Sequence, residues 1–190
     1  MEDLNQEIKT CIEVLQRGGL ILYPTDTVWG IGCDATNEKA VDKVFKLKRR
    51  EGSKSVIVLL DHEGKLLSYV QDVPETAWDL IEFSKRPLTI VYDSAKNLAS
   101  NVIAEDGTAG IRITRDEFCK RLIEKFRKPI VSTSANISGE AVPGRFDNID
   151  PVIINGVDYV VNLRQSEKMD ALPSTIIRLK RNGEFKFIRN

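Results

Sequence analysis

The chain has 190 residues, with 42% hydrophobic and 29% charged side chains, the proportions of one soluble globular domain with a substantial core. Its 28 basic residues are balanced by 28 acidic ones, so a basic surface that grips nucleic acid generally is excluded and any polyanion site must be local. No apolar run approaches the ~20 residues that span a bilayer, and the acidic start Met1-Glu2-Asp3 lacks the layout of a signal peptide. A cytoplasmic protein with no membrane partner is expected.

Leu4, Ile8, Cys11, Ile12 and Leu15 recur at helical spacing, and Gly18-Gly19 stops the pattern. Residues 20–23 are a short apolar strand ended by Pro24. Asn37 caps a second helix that buries Ala40, Val41, Val44, Phe45 and Leu47, and its last turn carries Lys46, Lys48, Arg49 and Arg50. A strand over 55–60 follows, then a helix from Pro74 through Ala77, Trp78, Leu80 and Ile81. Strands are predicted over 88–92 and 109–113. Thr114-Arg115-Asp116-Glu117 reads as a capping box opening a helix with Phe118, Leu122 and Phe126 inside. Residues 129–131 lead into a hydroxyl-rich loop. Late strands cover 157–163 and 175–179, and Asn182-Gly183 turns the last of these into 185–188. Helices alternate with strands early and strands dominate late, which predicts an α/β domain with a mixed sheet. Two polar stretches, 93–107 and 164–173, are long enough to act as mobile flaps.

The chemistry is narrowed first by what is missing. There is no G-x-x-x-x-G-K-[ST] loop, and Gly30-Ile31-Gly32 lacks the third glycine of a dinucleotide fingerprint. Cys11, Cys33 and Cys119 are isolated and out of metal-ligand spacing, which fits buried thiols. His62, the only histidine, sits in the turn-like Asp61-His62-Glu63-Gly64, leaving little for a triad or a zinc site. Side chains must then replace the usual phosphate loop. Pro24-Thr25-Asp26-Thr27-Val28-Trp29-Gly30 leaves the first strand where α/β sheets place ligands, or else is a turn capping its own backbone. Lys48 and Arg50 face a phosphate or form a solvated helix end. Arg112 lies inside an apolar strand and needs a partner, either a ligand carboxylate or phosphate or an internal acid. Ser132 to Gly139 offers hydroxyls and N–H groups to phosphate oxygens, and the Asn136 carbonyl to a metal ion, or is a serine-rich turn. Ser174-Thr175 is a further ligand edge or an ordinary strand entry.

Taken in order, Pro24 to Gly30, Lys48-Arg49-Arg50, Gly110-Ile111-Arg112, Ser134-Ala135-Asn136-Ile137-Ser138-Gly139 and Ser174-Thr175-Ile176 resemble the motifs of the YrdC/TsaC family of L-threonylcarbamoyladenylate synthases. The resemblance runs from about Glu7 to Arg189. It implies a YrdC-like α/β fold, a twisted mixed sheet with flanking helices around a basic concave cavity, as one domain over residues 1–190 without the extra C-terminal domain of longer members. It also implies the joining of L-threonine, bicarbonate or carbon dioxide, and ATP into L-threonylcarbamoyladenylate, with release of pyrophosphate. The product would pass to the machinery that transfers the threonylcarbamoyl group to the tRNA adenosine beside the anticodon. Through the same resemblance, Thr25, Arg112 and Ser132 serve threonine. Lys48, Arg50, Thr108, Ser134, Asn136 and Arg189 serve ATP, and Lys48, Arg50, Ser134 and Asn136 carry catalysis with Mg2+ near Asn136. Trp29 replaces the family's tyrosine, Lys85-Arg86 a Pro-Gly pair, Lys54-Ser55-Val56 an Asn-Pro-Leu, and Val142 a serine. Two other readings stay open: an RNA-binding module of this fold without synthase activity, and a related carbamoyl-adenylate enzyme of the hydrogenase-maturation type. Lys48→Ala and Arg50→Ala are expected to abolish turnover with little change in thermal stability.

Overall fold

Side chains alternate across a strand, so apolar residues at consecutive positions demand cover on both faces of a sheet. That demand organises the protein. The computed structural model describes residues 2–50, 56–167 and 172–190. Along the chain run α1 (Glu2–Gln16), β1 (Ile21–Tyr23), β2 (Gly30–Gly32), α2 (Glu38–Leu47), β3 (Ile57–Leu60), α3 (Leu66–Tyr69), α4 (Glu75–Phe83), β4 (Leu88–Tyr92) and β5 (Ala109–Ile113). They are followed by α5 (Glu117–Phe126), β6 (Ile130–Ser134), α6 (Pro151–Gly156), β7 (Tyr159–Val160), β8 (Thr175–Leu179) and β9 (Phe185–Arg189). The strands form one twisted mixed sheet in the order β7-β1-β2-β6-β3-β5-β4-β8-β9. Among them β3 and β5 are parallel, as are β1 with β7 and β4 with β8, and the other pairs are antiparallel.

Ile21, Tyr23, Leu59 and Ile130 join Ile8, Cys11, Leu15, Phe118 and Leu122 in a core made with α1 and α5. Leu22, Ile31, Val58, Leu60, Ile111 and Val131 point the other way and pack on Val41, Val44, Phe45 and Ala77 of α2 and α4. At the end of α1, Gly18 takes a left-handed φ of 72° and Gly19 donates to the carbonyl of Val14, which closes the helix as the sequence implies. Asn37 caps α2 by accepting from the Ala40 N–H at 3.2 Å.

Several sequence expectations change. The capping residue of α5 is Asp116, which accepts from Cys119 N at 2.9 Å. Thr114 is still tied to the sheet through Leu60, and its hydroxyl accepts from Asp116 N instead. Residues 30–32, read only as a failed fingerprint, are strand β2, and 157–163 shortens to the two-residue β7. The strand entered at 129–131 runs on to Ser134, so three of the hydroxyls belong to the sheet and not to a loop. Stretch 93–107 is no flap: Ala99 and Val102 are buried and Ala99 N bonds Ala35 O at 2.9 Å. Of the predicted strand 55–60, Ser55 lies outside the described residues, as do 168–171 of the second polar stretch and Lys54.

Glycine is required in β2 for a packing reason. A Cβ at Gly32 would stand 2.6 Å from Tyr23 Cε1 and 3.0 Å from the Val131 carbonyl oxygen. Tyr23 is 1% exposed and has nowhere to go. Gly32→Ala is therefore expected to cost about 1–3 kcal/mol through overpacking, a drop in melting temperature of roughly 2–4 °C per kcal/mol for a chain of this size. Thermal unfolding followed by circular dichroism checks this, and an unchanged melting temperature would show that the Tyr23 ring can move.

Candidate active site

On the face covered by α1 and α5, the register lines up a second set of residues. Gly30 opposes Ser134, Ile57 opposes both Ser132 and Gly110, Leu59 opposes Arg112, and Ile176 opposes Arg189. Opposed residues share a face, as do residues two apart. Ser132, Ser134, Gly110, Arg112, Ile176 and Arg189 are thus presented together, beyond the helices. There they line a cavity of about 240 Å³ with Thr27, Trp29, Arg50, Thr133 and Ser174 among its other walls, Gly110 being the one of the six that stays outside the lining. Three arginines line it, and among the described lining residues there is no carboxylate. In a protein of zero formal net charge this is a local concentration of positive charge.

Each cation reaches the cavity for a local reason. Arg112 is 3% exposed within β5, and burial of a guanidinium requires compensation. Asp26 supplies it, with Oδ1 3.3 Å from Nη2. Nη1 donates to the Thr27 hydroxyl at 3.1 Å, and Nε has no hydrogen-bond partner. The sequence left ligand or internal acid open, and the structure puts the internal acid in place. Arg189, in β9, donates from Nε to Ser174 O at 3.0 Å. Burial and then the nearby Arg112 charge lower its pKa, so two guanidiniums face a common space. Arg50 follows α2: Arg49 takes a left-handed φ of 49°, the Arg50 N–H returns to Phe45 O at 2.9 Å, and Nη1 donates to Thr133 Oγ1 at 3.3 Å. Burial lowers the Arg50 pKa as well.

Lys48 is neither a solvated helix end nor a lining residue. It is the C-cap of α2 and 2% exposed. Its ammonium donates to the carbonyls of Ser134 and Asn136, the latter at 2.6 Å, and lies 3.4 Å from Asn136 Oδ1. Its own carbonyl accepts from Ser138 N at 2.9 Å. The end of α2 and the loop after β6 are thereby stitched together. Burial, then the Arg50 charge, push the Lys48 pKa down to about 7. Asn136 is equally committed: Oδ1 accepts from Ser134 Oγ at 2.5 Å, and Nδ2 donates to the Ile137 and Glu140 carbonyls. Lys48 and Asn136 form a layer directly behind Ser134.

Two further predicted residues are not brought to the cavity. Thr108 gives its hydroxyl to Asp106 at 2.7 Å. Thr25 is 2% exposed, gives its hydroxyl to Val28 O at 2.8 Å, and lines a separate hollow of about 20 Å³. Thr27, two positions on, takes the place on the cavity that the sequence reading gave to Thr25. Residues two apart share a face in an extended chain, so the sequence alone does not separate them. Ser174 is also on the cavity, its hydroxyl 2.9 Å from that of Thr89.

Of the family departures, Trp29 walls the cavity and packs on Phe146 at a centroid distance of 4.8 Å, while Val142 lines the rim and is 41% exposed. A larger hollow of about 600 Å³ lies on the far side of Asp26, between the ends of β3 and β5 and helix α4. None of the predicted site residues lines it, and exposed charges of both signs rim it, so its size does not make it the site. His62 stands on that rim, its side chain 66% exposed. Burial raises all three thiols, Cys11 to about 12 and Cys33 and Cys119 also well above the usual thiol value, so none offers a thiolate. Among the described residues no His/Cys/Asp/Glu group is arranged to hold a metal, and no helix is long and apolar enough to cross a membrane.

This arrangement has relatives. The Sua5/YciO/YrdC family model, described as "Telomere recombination", matches residues 13–190. A threonylcarbamoyl-AMP synthase of Pseudoalteromonas translucida is 38% identical over 136 residues, covering 70% of this chain and 73% of that protein. A Methanocaldococcus jannaschii relative is 35% identical over 185 residues, 94% of this chain and 85% of its own. The structure of P. abyssi Sua5 complexed with L-threonine superposes with a TM-score of 0.83 at 26% identity. It covers 90% of this chain, which spans half the length of the Sua5 chain. With the family model matched from the first helix to the last strand, the chain belongs to the Sua5/YciO/YrdC family.

Proposed function

We infer that the protein is an L-threonylcarbamoyladenylate synthase, acting as one domain over residues 1–190. It joins L-threonine, bicarbonate or carbon dioxide, and ATP, and releases pyrophosphate. The observation that carries this reading is the cavity with three arginines, serine hydroxyls and no carboxylate among its described walls. Mutually repelling cations held close in a buried space are stabilised by a polyanion. Their convergence into a hollow, instead of over an exposed face, suits a small polyphosphate better than a nucleic-acid backbone and weighs against the RNA-module reading.

The chemistry asks little of the protein beyond alignment. The threonine amine and carbon dioxide give a carbamate and a proton. A carbamate oxygen attacks the α-phosphorus, that P–O bond forms, the bond from the α-phosphorus to the bridging oxygen breaks, and pyrophosphate leaves with the electron pair. No covalent protein intermediate is needed, which agrees with the raised thiols and the distant His62. In this reading Arg112 holds the threonine carboxylate beside Ser132. Arg50, Arg189 and Ser134 contact the triphosphate, and Lys48 with Asn136 supports it from behind as a charge and a braced loop. Thr25 acts through Thr27, and Thr108 lies outside the contacts. Mg2+ enters with the triphosphate: Asn136 Oδ1 already accepts from Ser134 and Lys48, so these residues do not fit a resident cation. The adenylate would be handed to the tRNA threonylcarbamoyl-transfer machinery in the cytoplasm.

Pyrophosphate release measured with ATP and bicarbonate, with and without L-threonine, tests the reading. Release that depends on threonine, with the adenylate seen by mass spectrometry, is the expected result. Threonine-independent release, or none in any mixture, would overturn it.

A further inference from the structure

The loop between β1 and β2 bears on Arg112 in a way that contact with a ligand does not explain. Asp26 is absent from the walls of the 240 Å³ cavity and lines the larger hollow behind it, on the other side of Arg112 from a molecule bound among the arginines. It is nevertheless fixed from two sides. Oδ2 accepts from the Arg115 N–H at 3.2 Å and from the Thr114 hydroxyl at 3.4 Å, and Oδ1 stands 3.3 Å from Arg112 Nη2. All three partners belong to β5 or the two residues after it, so the loop is latched to the strand that carries the guanidinium.

Donor counting fixes the rest of the loop. The Thr25 hydroxyl has one hydrogen, and it goes to Val28 O at 2.8 Å. The 3.0 Å contact between the Thr25 and Thr27 hydroxyls must then run from Thr27 to Thr25. That leaves the Thr27 oxygen to accept from Arg112 Nη1 at 3.1 Å. One directed chain runs from Arg112 through Thr27 and Thr25 to the Val28 carbonyl, with every donor assigned. Nη1 is held by this hydrogen bond, Nη2 by the ion pair with Asp26 Oδ1, which has no hydrogen-bond partner, and Nε has no partner. A fork held in this way has its remaining donor edge set before any carboxylate arrives.

We propose that Asp26 and Thr27 are positioning residues that form a socket for Arg112: Asp26 acts on the substrate carboxylate only through it, and Thr27, which also walls the cavity, acts through the hydrogen bond it accepts from Nη1. The proposal rests on the reading of Arg112 as the threonine-carboxylate site. In steady-state assays of pyrophosphate release, Asp26→Asn is expected to raise the KM for threonine by about 10- to 100-fold, and the milder Thr27→Val by a few-fold. The KM for ATP should stay within about twofold in both, since the triphosphate contacts lie elsewhere. In an Arg112→Lys background, which cannot use the socket, either substitution should add little. An unchanged threonine KM, equal rises for both substrates, or effects that simply multiply in the Arg112→Lys background would each overturn the proposal. NMR of the arginine side-chain N–H groups separates this from the functional reading. Arg112 should give a sharp Nε–H signal in the wild type that broadens or shifts in Asp26→Asn, whichever carboxylate is the substrate. The same signal in both proteins would sink the socket, whereas a wild type without threonine-dependent turnover would sink only the functional reading.

Discussion

Replacing Lys48 by alanine is expected to abolish turnover and lower the melting temperature together, against the sequence expectation of a purely functional loss. Its ammonium joins two backbone carbonyls from the segment Ser134 to Asn136, at 2% exposure. Removing a charged donor from buried carbonyls costs about 1–3 kcal/mol, or roughly 2–4 °C in melting temperature for each kcal/mol. Turnover should fall about a hundredfold or more, because the charge behind the triphosphate and the brace on Ser134 vanish at once. The same residue gives the site a pH dependence. Its pKa is lowered in the folded protein from 10.5 to about 7. Between those values the unfolded chain holds the proton and the folded one does not, so this group's contribution to stability grows as pH rises through that window and is lost toward pH 7. A bound triphosphate brings negative charge close and restores the proton. ATP binding near pH 8 is therefore expected to take up close to one proton, and affinity should weaken as pH rises above about 7. Calorimetry in two buffers of different ionisation heat measures this. Lys48→Arg, whose charge is permanent, should bind with no such uptake. No uptake in the wild type would mean that Lys48 does not feel the triphosphate.

How much of this was legible beforehand follows from the range of the interactions. Helix α2 was read correctly at its start because the Asn37 cap, three residues from its acceptor's donor, is a local signal. Its end was read a turn too long, because the reversal at Arg49 is set by contacts of Lys48 with residues more than eighty positions away. Strand β2 escaped because two of its three residues are glycines, chosen for the Tyr23 ring and the Ser132 hydroxyl that pass over them and not for strand preference. Arg112 was singled out by a charge inside an apolar run. Asp26 was not, since its pairing crosses from the loop after β1 to a strand at the centre of the sheet. The motif Thr25-Asp26-Thr27 was visible as a unit, yet which hydroxyl reaches the cavity depends on the path of the loop.

Arg112→Ala carries the second large expectation, and comparison with Arg112→Lys divides it into two effects. Alanine leaves the Asp26 carboxylate, 12% exposed, without its counter-charge. Breaking such a buried pair costs about 3–5 kcal/mol, a fall of the order of 10 °C in melting temperature. Threonine-dependent turnover should vanish in the same variant, so activity alone would not separate binding from folding. Lysine keeps the charge near Asp26 and should recover most of the stability. A lysine ammonium, however, is a point charge on a flexible stem, and it cannot donate to Asp26 and Thr27 while presenting a planar edge to a carboxylate. Arg112→Lys is therefore expected to melt within a few degrees of the wild type while its KM for threonine rises about tenfold or more. Thermal unfolding and threonine titration on the same preparation check both halves. Recovery of threonine use together with stability would show that position 112 supplies only charge, and that carboxylate recognition belongs to Ser132 and its neighbours on β6.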